Sequence, residues 1–321
     1  MRYNYKRIFP AIPLCIFISF SLLSQSVFDD YEHEVIKKNH VKKKTLWVYG
    51  ASASSGYKSK EVTYNGNGDI TEEISYRSNG KVSVKRNYKY DSNGNVIEYQ
   101  SFDGQLGKIT YKKFIKYDTE GKKMVEAGFD GVDRFDNKYR YDSKGRIQEI
   151  RYYMSDNLIE RREITYTGNM QEVTVYKANN SISEKIQNYY DNNNNLIKDI
   201  TLLSTGSEAK KIIYEYNSSG KKVKEEFYYS GNLTETKTYI YEGDKLVKIY
   251  IQKPDESKYL DRTYSYDSSG RISLEKWIDK RTGKYSTKSF KYDAKGNAIE
   301  INSFFALYNF KEDVKITYNF F

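Results

Sequence analysis

Tyr90-Asp91-Ser92-Asn93-Gly94 is the stretch on which the fold turns. The same phrase returns as Tyr141-Asp142-Ser143-Lys144-Gly145 and Tyr266-Asp267-Ser268-Ser269-Gly270. An Asp or Asn at the head of a turn accepts backbone N–H bonds, and a Gly three residues later tolerates the left-handed conformation, so each copy predicts a turn closing a β-hairpin. Where the Gly is replaced, in Tyr190-Asp191-Asn192-Asn193-Asn194, the substitute is Asn, the residue that bears positive φ best after Gly.

Equivalent tyrosine anchors fall at Tyr64, Tyr90, Tyr117, Tyr141, Tyr166, Tyr190, Tyr216, Tyr241, Tyr266, Tyr292 and Tyr318, with gaps of 24 to 27 residues. Self-similarity at one period marks a tandem array of hairpin units of about 25 residues. A looser turn lies midway through the units, as at Ser78-Asn79-Gly80, Asp103-Gly104, Thr205-Gly206 and Thr282-Gly283. Each unit is therefore two strands and two turns. Two residues before the anchors stand Tyr88, Ile115, Tyr139, Ile164, Tyr214, Tyr239, Tyr264, Phe290 and Ile316, so one strand face is an aromatic and aliphatic ladder.

A lone hairpin is marginal in water, so the units must pair edge to edge. The expected fold is all-β: tandem β-hairpin repeats in one long twisted antiparallel meander of about 22 strands, with room to curl into an open shell or spiral. Beyond residue 60 no segment sustains apolar residues at helical spacing, and helix is expected only within 27–45.

Three segments follow from composition. In 1–26, Arg2, Lys6 and Arg7 precede an uncharged apolar run from Ile8 to Leu23, short of the ~20 residues that span a bilayer, and Ser24-Gln25-Ser26 supplies small residues: a signal peptide cleaved near Ser26. Residues 27–60 form a leader and N-terminal capping segment, with a strand around Leu46-Trp47-Val48-Tyr49. Residues 61–321 are the repeat domain. The single cysteine, Cys15, lies in the signal segment, which leaves the mature chain without disulfides or thiolate chemistry. No membrane span is expected after cleavage, and the expected location is secreted, periplasmic or cell-surface.

Removing residues 1–26 lowers Lys+Arg from 53 to 50 against 43 acids, and the signs are interleaved without a concentrated basic patch, so no nucleic-acid partner is expected. A membrane-spanning barrel requires an apolar lipid face, yet Ser83–Tyr90 and Thr110–Tyr117 put lysine or arginine on both faces.

No residue pattern points to a catalytic, cofactor or metal site. His33 and His40 are the only histidines, and His33-Glu34-Val35-Ile36-Lys37 lacks the second His of a zinc helix. Asp91, Asp118, Asp142, Asp267 and Asp293 head turns, where backbone capping accounts for them, and the asparagine run after Asp191 lacks the charge of a tight calcium site. The anchors read as core. Tyr99, Tyr152, Tyr228 and Tyr250, on the other strand of their units, are candidates for stacking on a ligand such as a sugar ring.

The Tyr-Asp-x-x-Gly pattern of Tyr90-Asp91, Tyr117-Asp118, Tyr141-Asp142, Tyr266-Asp267 and Tyr292-Asp293, with Tyr190-Asp191 as its Asn variant, resembles the RHS or YD-repeat family over about 64–318. That resemblance implies a β-sheet shell of bacterial exported type. The chain departs from it in a longer unit than the roughly twenty residues of YD repeats, and in lacking a Pro-rich core segment: Pro254 is the only proline after residue 26. The units are also similar to the aromatic-Gly hairpins of MORN-like and glycan-binding repeats. The functional expectation is a non-enzymatic, exported scaffold presenting a binding surface to a cell-wall or surface polysaccharide or to another surface protein. Its alternatives are a shell or accessory part of a toxin-type RHS system and a carbohydrate-active protein.

Overall fold

The computed structural model describes residues 27–50 and 56–321. The signal segment, its cleavage near Ser26 and Cys15 lie outside the described residues, as do 51–55. Among the described residues one helix, α1 (Val27–Lys38), leads into strands β1 (Val41–Gly50), β2 (Tyr57–Tyr64), β3 (Ile70–Tyr76), β4 (Val82–Tyr90), β5 (Val96–Asp103), β6 (Lys108–Tyr117), β7 (Lys123–Phe129) and β8 (Arg134–Tyr141). The meander continues through β9 (Ile147–Met154), β10 (Asn157–Thr167), β11 (Met170–Lys177), β12 (Ile182–Tyr190), β13 (Leu196–Leu203), β14 (Glu208–Tyr216) and β15 (Lys222–Tyr229). It ends with β16 (Asn232–Glu242), β17 (Lys245–Gln252), β18 (Tyr259–Tyr266), β19 (Ile272–Ile278), β20 (Tyr285–Tyr292), β21 (Ala298–Phe305) and β22 (Phe310–Phe320).

Every strand pairs antiparallel with its chain neighbour, and β1 also pairs with β22 from Val41↔Phe320 to Gly50↔Glu312. This last ladder corrects the expectation of an open shell or spiral: the twenty-two strands close into a β-barrel of 20 Å radius. Closure removes both free edges, whose unpaired N–H and C=O groups would otherwise invite pairing with other chains.

The turn chemistry explains the hairpins. Asp91 Oδ1 accepts the N–H groups of Asn93 and Asn95, each at 2.9 Å, while Gly94 sits at φ 83°. Asn194 takes the same place at φ 64° in its unit. After Tyr166 and Tyr241 the loop shortens to Gly168-Asn169 and Gly243-Asp244, between the paired residues Thr167↔Met170 and Glu242↔Lys245.

The anchors do a second job. At Tyr90 the register slips, with Lys89 facing Glu98 and Tyr90 facing Val96, so Ile97 is an extra, bulged residue. The same slip occurs at Tyr64, Tyr117, Tyr141, Tyr190, Tyr216, Tyr241, Tyr266 and Tyr292. A bulge interrupts the ladder and bends the strand. Each bulge is followed, one unit on, by a tyrosine hydroxyl that donates to the interrupted backbone: Tyr90 to Ile70 O, Tyr117 to Val96 O, Tyr141 to Lys123 O and Tyr166 to Ile147 O, at 2.7–3.1 Å. Tyr216, Tyr241, Tyr266, Tyr292 and Tyr318 repeat the bond to Leu196, Lys222, Leu246, Ile272 and Ala298. One residue type thus supplies the curvature's repair and the ring that covers it.

Among the described residues only helix α1 packs on the sheet. Strands such as β3 and β5 are half-buried at every position, as expected where both faces meet solvent over their own side chains. Small aliphatic clusters interrupt this, one on Ile150, Tyr152, Ile164, Val173 and Val175, another on Ile272, Phe290, Ile301, Val314 and Ile316.

Candidate functional site

Twenty-two strands enclose more space than their inward side chains fill. A cavity of about 1800 Å³ runs along the inner wall from β9 to β18, and it identifies the inward face: it is lined by ten aromatic rings and by six basic and five acidic side chains. Tyr166, Tyr190, Tyr216, Tyr241 and Tyr266 all border it, so the anchors point into the lumen, with Tyr214, Tyr239 and Tyr264 one step along the same strands.

Charge is built into this wall at fixed places. In five units an inward acid stands nine residues after the anchor, and in several units, as at Lys60, Arg86, Lys113 and Arg262, an inward base stands four residues before an anchor. Glu73 pairs with Lys60 at 2.7 Å and with Arg86, Glu126 with Lys113 at 3.0 Å, and Glu275 with Arg262. Glu225 pairs with Lys222 and accepts the Tyr239 hydroxyl at 2.7 Å. Paired bases hold the Glu73 and Glu126 carboxyls below the usual range against the opposing pull of burial. Burial raises the phenols of Tyr214, Tyr239 and Tyr264, so at neutral pH they remain hydroxyls able to donate.

Helix α1 lies against the wall at the anchor rim. Tyr31 donates to Gly296 O at 3.0 Å and meets Tyr292 edge-on at 5.7 Å, Glu32 pairs with Lys44 at 2.6 Å, and Ile36 packs with Val41, Val62 and Tyr64.

The outer face is covered by ion pairs and by cations over rings. Lys89 meets Glu98 and Lys291 meets Glu300, each at 2.8 Å, and Arg151 meets Glu149 at 2.8 Å. Among the described residues no helix is long and apolar enough to cross a membrane, which says nothing about strands. None of the described residues form a group of three or more His, Cys, Asp or Glu able to hold a metal ion.

The four tyrosines singled out from sequence do not share a surface. Tyr99 faces inward between Tyr88 and Tyr111, with ring centroids at 5.0 and 5.6 Å. Tyr152 is inward and 4% exposed, so its ring has no open face. Tyr228 and Tyr250 point outward beneath Lys211 at 4.4 Å and Lys258 at 4.8 Å. The anchor bulge resets the alternation, and the two-residue loop after Tyr241 shifts it again, so equal distances from an anchor do not mean equal faces. The inward acids were not singled out from sequence, although their spacing from the anchors was a signal that could have found them.

No family model and no curated protein matches the chain. Solved structures give distant matches. The structure titled TcdB2-TccC3-Cdc42 aligns at 10% identity and a TM-score of 0.31, covering 86% of this chain and 18% of that one. This chain therefore spans less than a fifth of that relative. A porin-like protein from Bacteroides uniformis ATCC 8492 aligns at 9% identity and a TM-score of 0.33, covering 88% of this chain and 97% of that one. A porin-like protein from Bacteroides vulgatus ATCC 8482 aligns at 10% identity and a TM-score of 0.22, over 87% and 98%.

Proposed function

We propose that the chain is an exported, non-enzymatic barrel that works in water, and that its binding surface is the lumen, taking a polar, ring-bearing chain such as a cell-wall or surface polysaccharide. The observation that carries this reading is the cavity of about 1800 Å³, with its tyrosine rings and near-balanced charges. Rings supply stacking faces, buried ion pairs and phenols supply directional hydrogen bonds, and the balance of charge favours a neutral, hydroxyl-rich ligand over a polyanion.

The outer face supports the aqueous part. A lysine or arginine at the midplane of a bilayer costs about 2–4 kcal/mol apiece, and Lys89, Arg140, Arg151, Lys224 and Lys291 all lie on the outside in salt bridges. Such pairs are suited to solvent.

The test is co-sedimentation of the purified protein with cell-wall and surface polysaccharides, comparing Tyr264→Ala in the lumen with Tyr228→Ala and Tyr250→Ala outside. Binding lost only in the lumen variant supports the reading. Binding lost only in the outer variants moves the site to the outer wall, and an unmodified protein that binds no polysaccharide overturns the ligand class.

A further inference from the structure

Five units carry an acid at the inward position nine residues after the anchor: Glu73, Glu126, Asp199, Glu225 and Glu275. Four of them sit in the ion pairs described above. Asp199 does not. The positions four residues before the flanking anchors, from which Lys60, Arg86, Lys113 and Arg262 reach their acids, hold Ile186 and Ile212 here; Lys210, opposite Thr201 on β14, acts on Asp199 only through its charge, and the carboxylate makes no close ion pair or hydrogen bond among the described residues. It is 8% exposed and borders the cavity.

The residues beside it extend the anomaly. Cross-strand register sets Tyr166, Gln171, Asn188 and Asp199 directly opposite one another on β10, β11, β12 and β13, in one inward row. Gln171 Nε2 donates to the Tyr166 hydroxyl at 3.4 Å and Asn188 Nδ2 to Gln171 Oε1 at 3.0 Å. The row then stops: Asn188 Oδ1 is buried without a partner, and the next group is the Asp199 carboxylate. A buried carboxylate unpaired in the empty protein carries a desolvation cost that a ligand's donors remove.

We propose that Asp199, with Asn188 beside it, is a saccharide subsite on the lumen wall, accepting hydrogen bonds from neighbouring hydroxyls of a neutral sugar. The proposal rests on the lumen reading above and gives that surface its specific contact. A divalent cation fits poorly, since one carboxylate stands alone and no metal-holding cluster occurs among the described residues. A cationic ligand fits poorly too, because the cavity carries six basic against five acidic side chains and the Lys210 charge already bears on Asp199. Burial raises the Asp199 carboxyl, so the acceptor is lost as pH falls through that raised value and binding weakens with it.

The experiment is calorimetric titration of the purified protein with maltohexaose, chitohexaose and mannohexaose. Three variants are compared: Asp199→Asn, Ile212→Lys, which places a base directly opposite Asp199 as Arg86 stands opposite Glu73, and Tyr264→Ala elsewhere in the lumen. The expected result is an affinity at least tenfold weaker in Asp199→Asn and Ile212→Lys, both with a melting temperature no lower than the unmodified protein's, since each relieves an unpaired buried charge. Unchanged affinity in those two with loss in Tyr264→Ala overturns the subsite and leaves the lumen reading standing. Absence of binding by the unmodified protein overturns both.

Discussion

Replacing one anchor hydroxyl, Tyr216→Phe, tests the account of how the barrel holds its curvature. The ring stays, so its packing is unchanged, and the change deletes the 2.9 Å bond to Leu196 O. That carbonyl lies at the bulge opposite Tyr190, where the ladder has slipped, so no strand neighbour takes the hydroxyl's place. Losing such a bond costs about 1 kcal/mol, toward 2–3 kcal/mol if the carbonyl stays dry. Successive anchors are two strands apart, about 10 Å, far enough for their effects to add. The triple variant Tyr216→Phe, Tyr241→Phe, Tyr266→Phe should therefore lose roughly 3 kcal/mol. Urea denaturation followed by circular dichroism reads this as a lower midpoint at constant slope. A triple variant within about 0.5 kcal/mol of the parent would refute the reasoning, because the carbonyls would then be satisfied by solvent and the bond would be incidental.

Four further outcomes follow. Gly128→Ala places a Cβ 1.9 Å from Lys112 O, so the strands must part locally, and a loss of about 1–3 kcal/mol in the same assay is expected. Raising the pH should unfold the barrel cooperatively. Burial pushes the phenols of Tyr90, Tyr111 and Tyr266 up to about 12, so above pH 10 the unfolded chain has released protons that the folded one keeps and stability falls. Tyrosinate absorbance should rise together with the loss of β signal, and tyrosinate appearing at pH 10 with the fold intact would contradict it. The purified protein should stay monodisperse in buffer without detergent, as light scattering can check, whereas a lipid-facing wall would precipitate. Deleting residues 1–56 removes β1 and exposes the edges of β2 and β22; size-exclusion chromatography should show aggregates, and a stable monomer would mean that closure is dispensable.

Much of this was legible locally. The Tyr-Asp-x-x-Gly phrase carries its own turn, because Asp caps the backbone within five residues and Gly admits positive φ without tertiary help. The 24-to-27-residue period then sets the number of hairpins, and the alternation before each anchor sets a tyrosine face. Closure was not legible, because pairing of β1 with β22 joins residues more than 260 positions apart and depends on curvature summed over the whole sheet. Nor was the parity beyond each anchor: a bulge is a relation between two strands, and one extra residue exchanges the two faces. That is why Tyr228 and Tyr250 stand outside and Tyr99 and Tyr152 inside. By itself the sequence determined the strands, their turns and their order. The tertiary structure decided that the sheet is a closed wall, which residues line its lumen, and that Asp199, unlike Glu73, Glu126, Glu225 and Glu275, faces that lumen without a close ion pair, since those facts depend on neighbours brought together only by pairing.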